Sequence, residues 1–113
     1  AESHEELPTD WQEHICADVG DEKAFAVSLR GDSMEPRYYE GDILIVSPSR
    51  KPNNGGLVVC RFKDDGIIFR QIQIVNQTIR LVPINARYIP SDHTEDDFVW
   101  IYSVVEMRRQ LWK

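Results

Sequence analysis

The stretch "RGDSMEP", Arg30 to Pro36, sets a serine between an aspartate and a methionine, just after a run that alternates like a β-strand. A serine hydroxyl is a weak nucleophile at neutral pH until a neighbouring base removes its proton. Ser33 is therefore half of a catalytic pair at most, and the other half has to come from elsewhere in the chain. The internal lysines, Lys23, Lys51 and Lys63, each stand beside charged or turn residues, where an ammonium stays solvated and protonated. A neutral imidazole is available near pH 7, but His14 and His93 both read as surface residues of polar stretches. No cluster of Cys, His and carboxylates has ligand spacing, so neither a metal nor an organic cofactor is implied.

Charge narrows the classes further. The 113 residues carry 19 acidic and 13 basic side chains, a formal net charge of −6. A domain that grips nucleic acid needs a surplus of Lys and Arg to replace phosphate counterions, so this stretch alone is not expected to bind DNA. The basic tail "MRRQLWK" reads as the solvated side of a closing strand. A hydrophobic content of 42% suits one domain with one modest core. No apolar run approaches the roughly 18 residues that cross a bilayer, and "AESHEELPTD" has no signal-peptide pattern. Cys16 and Cys60 are few and in unlike contexts, which suits reduced thiols. The expectation is a soluble, cytoplasmic protein with no membrane partner.

The elements that would position Ser33 read mostly as strands. "AFAVSL" and "DILIVS" are apolar runs bounded by turn residues, and "PSRKPNNGG" supplies the fixed and positive φ values of a loop before "LVVCRFK". Asp-Gly within "DDG" marks a hairpin into "IIFRQIQIV". "TIRLVPI" follows, then a loop-like "PSDHTEDD", then "FVWIYSVVEM", for six or seven strands in all. Phe98, Trp100 and Tyr102 fall on one face of that last strand, as core or, together with Trp112, as a partner surface. "PTDWQEHICADV" has capping-box spacing at Thr9 and Gln12 and reads as a short helix or a loop. The fold class expected is all-β, a compact domain of hairpins and small twisted sheets, with residues 1–23 as an N-terminal arm or linker and 24–113 as the domain.

"GDSMEP", "EGDILIV", "NNGGLVV", "GIIFRQI" and "LVPINARYIP" occur in this order between about Phe25 and Val105. In order and spacing they resemble the peptidase-like C-terminal domain shared by LexA, UmuD and lambda-type phage repressors. The resemblance implies that Ser33 occupies the position of a serine that attacks a peptide bond of its own chain. It also implies a lysine general base on a later strand, at the position that here holds Arg70. Burial among apolar strands can lower a lysine pKa by up to about 3–5 units and free the amine to accept the serine proton. Arginine is not tunable in that way. Forming its neutral species at pH 7 costs roughly 9 kcal/mol against roughly 4.6 kcal/mol for an unperturbed lysine. The gap of about 4–5 kcal/mol corresponds to a rate loss of about a thousandfold or more.

The cleavable Ala-Gly or Cys-Gly bond of self-cleaving members also has no counterpart before Ser33, where Gly20 follows Val19. The resemblance together with these departures implies a regulatory and oligomerisation domain of a phage- or prophage-type repressor with an inactive peptidase site. Its DNA contact would come only through a helix-turn-helix head upstream of these residues. Homodimers or larger homo-oligomers, a recombinase filament or an antirepressor protein are the implied partners. An active LexA-like self-peptidase of the SOS response and a UmuD-like polymerase accessory subunit are the alternatives.

Overall fold

The computed structural model describes residues 20–64 and 66–109, together with the backbone of a two-residue strand near the N-terminus. His14, Cys16, Trp112 and the helix-or-loop stretch up to residue 19 lie outside the described residues. The strands are β1 (Glu5–Glu6), β2 (Phe25–Ser28), β3 (Ile43–Ser47), β4 (Leu57–Phe62), β5 (Ile67–Val75), β6 (Thr78–Val82), β7 (Ser91–His93) and β8 (Phe98–Arg108). They form one antiparallel sheet in the order β1-β2-β3-β8-β4-β5-β6-β7. The all-β expectation holds, with the pieces joined into one sheet.

Two short strands escaped the periodicity reading. Among the described residues β1 and β7 bring the count to eight, and the loop-like "PSDHTEDD" contains both β7 and a 3-10 turn at Glu95–Asp97. β7 has no apolar alternation to betray it. Its place beside β6 is marked instead by the Arg80–Asp92 ion pair, with Nε to Oδ1 at 2.7 Å. Thr94 N–H donates to Asp97 Oδ2 at 3.0 Å and closes the turn that follows.

The last strand, β8, lies between β3 and β4 and joins the two ends of the sheet. Its pairing slips twice, opposite Ile45/Val46 and opposite Arg61/Phe62. The second bulge corrects the expected stripe. Phe98 pairs with Phe62 whereas Trp100 pairs with Arg61, and successive residues of β4 point to opposite faces. Phe98 therefore packs with Cys60, Ile68 and Ile79, while Trp100 and Tyr102 pack against the cluster built from Val27, Leu44, Val46, Val59 and Phe69. Trp100 and Tyr102 stack at 4.5 Å between ring centroids, and Phe25 meets both edge-on.

Burial on both sides follows from apolar runs without strict alternation. Val58 and Val59 are adjacent, fully buried and in different clusters, as are Ile45 and Val46. Each such side chain contributes about 1.5–3 kcal/mol when taken from water. The result is a stiff sheet whose connecting loops carry the polar chemistry. Among the described residues no helix is long and apolar enough to cross a membrane.

Candidate functional site

Ser33 sits in the loop between β2 and β3. The loop is closed at its base by two main-chain bonds, Leu29 N–H to Asp42 O and Gly41 N–H to Leu29 O, both 2.8 Å. Gly31 (φ 88°) and Gly41 (φ 95°) bracket it in the left-handed region that favours glycine. Inside the loop, Arg37 and Tyr38 N–H both donate to Met34 O, a tight turn that drives Met34 and Tyr38 into the core beside Phe69. The Tyr38 ring meets Phe69 edge-on at 5.2 Å. Ser33 is fully buried at the start of that turn.

Arg70, 37 positions later, comes from the middle of β5 opposite Val58 of β4. The structure brings the two sequence-predicted residues together: Arg70 Nη1 donates to Ser33 Oγ at 2.7 Å and to Phe69 O at 2.8 Å. A guanidinium carries only donors and stays charged, so in this contact the Ser33 oxygen is the acceptor. Such a pair can stabilise negative charge on that oxygen. It cannot take the proton away.

The other candidate bases are placed elsewhere. Among the described residues, the hydrogen bonds at Ser33 come from Arg70, Ile84 and Asn85. Lys63 N–H bonds Asp97 O beside the 3-10 turn, and Lys51 lines a groove with Pro52, Ile74 and Val99. His93 packs against Phe62 at 5.0 Å, and its Nε2 meets Ser91 Oγ at 2.8 Å. Cys60 is a free, buried thiol pushed up to about 12 by burial, with the charge of Arg70 pulling the other way. No group of three His, Cys, Asp or Glu that could hold a metal ion occurs among the described residues.

Sequence reading missed the residues that hold the serine loop in place. The segment 83–90 after β6 crosses to it: Ile84 and Asn85 N–H both donate to Ser33 O, at 3.1 and 2.9 Å. Asn85 Nδ2 donates to Asp32 O at 3.0 Å, and the Tyr88 hydroxyl donates to Asp32 Oδ1. Within "INARY" the Asn85 carboxamide accepts from Arg87 N–H, an Asx turn that is legible as a turn but not in what it docks against. On the loop's other side Arg109, just past β8, grips Asp42 with Nε and Nη2 at 2.7 and 2.6 Å and reaches Arg37 O at 3.1 Å. Burial pushes the Asp42 carboxyl up, but the hydrogen bonds from Arg109 and from Tyr39 N–H, with the guanidinium charge, outweigh it and hold it below the usual carboxylate range.

A second buried polar centre lies at the other end of β3. Asp21 accepts from Ser47 Oγ at 2.5 Å, Ser49 Oγ at 2.8 Å, Lys23 N–H at 2.9 Å and Ser49 N–H at 3.0 Å. The Ser47 hydroxyl leads the causes that hold this carboxyl well below its ordinary range. The cluster pins the residues before β2 to the turn after β3.

Comparison with known proteins agrees with this architecture. The Peptidase S24-like family matches residues 1–105. A LexA repressor of Desulfatibacillum aliphaticivorans is 35% identical over 81 residues, covering 71% of this chain and 39% of the relative. One of Oleidesulfovibrio alaskensis is 31% identical over 94 residues, covering 82% and 45%, and one of Gluconacetobacter diazotrophicus is 33% identical over 79 residues, covering 66% and 31%. The chain thus spans less than half the length of these relatives. With a serine loop and a β5 cation meeting over an antiparallel sheet, and a family match across nearly all of its length, the chain belongs to the Peptidase S24-like family and is a homologue of the peptidase-like part of LexA repressors.

Proposed function

We propose that the chain is the C-terminal oligomerisation and regulatory domain of a phage- or prophage-type transcriptional repressor, in which Arg70 silences a serine self-peptidase site. The observation that carries this reading is the 2.7 Å contact in which Arg70 donates to Ser33 Oγ. A neutral lysine at position 70 would accept the hydroxyl proton, whereas the guanidinium occupies the oxygen and leaves the proton in place.

In this reading residues 1–23 are the arm that leads into a domain spanning 24–113, and Ser33 and Arg70 are the former catalytic positions. DNA contact belongs to a helix-turn-helix head elsewhere in the full protein, which works in the cytoplasm. Pairing two weak heads through this domain raises avidity by about 10²–10⁴ without any new base contact. Loss of the dimer then releases the operator. A silenced site needs another trigger, and an antirepressor protein fills that role in place of a recombinase filament.

The test is self-cleavage of the full-length protein at alkaline pH, followed by gel and intact mass. It is run beside Arg70→Lys and beside Arg70→Lys carrying Ser33→Ala. The parent is expected to stay whole. Cleavage in Arg70→Lys alone, abolished by Ser33→Ala, identifies Arg70 as the block, and no cleavage in any variant places a second block in the substrate segment. Cleavage of the parent overturns the reading in favour of an active LexA-like self-peptidase.

A further inference from the structure

Four hydrogen bonds from residues 84–88 converge on two consecutive residues, Asp32 and Ser33. Asn85 is their hub. Its N–H and its Nδ2 hold Ser33 O and Asp32 O, while its Oδ1 and its own carbonyl accept from Arg87 N–H and Tyr88 N–H. All four of its polar groups are thus used, two to shape the strap and two to grip the serine loop. The carboxamide has the donor and the acceptor that both jobs need: aspartate lacks the donor, alanine lacks both groups, and glutamine sets its amide one methylene further out. Tyr88 adds a hydroxyl that ties Asp32 from the outside, and Ile84 fixes the strap by packing into the core cluster that also holds Met34 and Phe69.

The contact between Ser33 Oγ and Arg70 depends on where the main chain of residue 33 sits. The loop's base is anchored at Leu29 and Asp42, to either side of the serine, and those bonds do not touch residue 33 itself. Among the described residues, the Ser33 carbonyl is held by the strap alone and the Asp32 carbonyl by the strap and Glu35 N–H, while Arg37 and Tyr38 N–H hold the next carbonyl, that of Met34. We propose that Asn85, assisted by Tyr88, is a positioning residue that sets the Ser33 hydroxyl against the side chain at position 70. The strap "INARY" is then part of the site and not merely a connection between β6 and β7. This role rests on the reading of Ser33 and Arg70 as the site.

The test places a thiol at position 33 and reads its ionisation. In Ser33→Cys with Cys16→Ser, the 13Cβ shift of the thiol at position 33, resolved from that of Cys60, is titrated between pH 5 and pH 11, a range that reaches a buried thiol and a signal that tyrosine ionisation does not mask. The titration is repeated with Arg70→Gln, so that the effect of Arg70 is a difference in which burial cancels. A guanidinium in contact favours the thiolate, and the expected effect of Arg70 is about tenfold in the ionisation constant, one pKa unit. With Asn85→Ala the same difference is expected to fall below about threefold, and with Tyr88→Phe to an intermediate value. A merely structural strap would shift melting and leave this difference intact. Retention of the full Arg70 effect in Asn85→Ala and in Tyr88→Phe overturns the positioning role while leaving the Ser33–Arg70 contact standing. If Asn85→Ala does not fold, Tyr88→Phe alone decides. Absence of any Arg70 effect with the strap intact overturns the contact, and the role with it.

Discussion

Ser33 and Ser47 are both fully buried, and each hydroxyl lies within 2.7 Å of a charged side chain, but the signs of those charges are opposite. Ser47 Oγ donates to the Asp21 carboxylate, and Ser33 Oγ accepts from the Arg70 guanidinium. Only Ser47 therefore has a proton acceptor in place. Yet Asp21 is held so far below its ordinary range by four donors that it makes a poor base. Neither serine is activated, for opposite reasons: one partner has no lone pair to offer, and the other is too well satisfied to take a proton. A buried serine is activated only by a partner that has a lone pair and is left free to take the proton; Arg70 fails the first condition and Asp21 the second.

The comparison breaks most severely where packing sets the geometry. Phe69 is fully buried, its ring meets Tyr38 of the serine loop, and its carbonyl holds Arg70. Phe69→Ala is expected to cost about 3–5 kcal/mol by urea denaturation, the usual range for a large aromatic lost from a core. The geometry of the Ser47 centre rests on the Asp21 carboxylate, which accepts from both Ser47 and Ser49. Acid should therefore act on the two centres unequally. Asp21 and Asp42 have folded-state pKa values below their unfolded ones, so their stabilisation is complete above about pH 4 and is lost as pH falls. A guanidinium is not a carboxylate that acid can neutralise, so the Ser33 contact is not expected to add to this acid dependence. Stability measured from pH 7 down to pH 2 should decline with acid in the parent and decline less in Asp21→Asn. An equal decline in both would remove Asp21 from the account.

How much of this was legible in the sequence follows from what leaves a periodic or chemical mark. β2 to β6 and β8 announce themselves through apolar runs and through turns such as "DDG". Ser33 and Arg70 were found through the ordered motifs of the family resemblance, and the structure brings them into contact. β7 was missed because an edge strand of Ser, Asp and His buries little and alternates nothing. The Phe98 assignment failed because a bulge adds one residue and reverses every side chain beyond it, a shift that no pattern of period two can show. Asp21 and Arg109 left no readable sign, and Asn85 showed only as part of a turn within a family motif. Their importance lies in partners 26 to 67 positions away in the chain.

The finest distinction between the two serines is in what their removal costs. Ser47→Ala leaves the buried Asp21 carboxylate without its shortest donor and Arg50 Nη1 without the Ser47 oxygen, and is expected to cost about 1.5–3 kcal/mol, as for bonds to charged groups. Ser33→Ala leaves Arg70 on Phe69 O, and the half-buried guanidinium can recruit water. What is lost is one hydrogen bond to a charged group that keeps another acceptor, so the expected cost is about 1 kcal/mol or less. The pH dependence separates the two further. The Ser47→Ala cost belongs to a charged Asp21 and should shrink at the acid end, where that carboxyl takes up its proton, whereas the Ser33→Ala cost should stay level because its contact is with a guanidinium and not with a carboxylate. Urea midpoints for both variants at neutral and acid pH check this. A Ser33→Ala cost as large as that of Ser47→Ala, or one that faded with acid, would show that Ser33 answers to a carboxylate and not to Arg70.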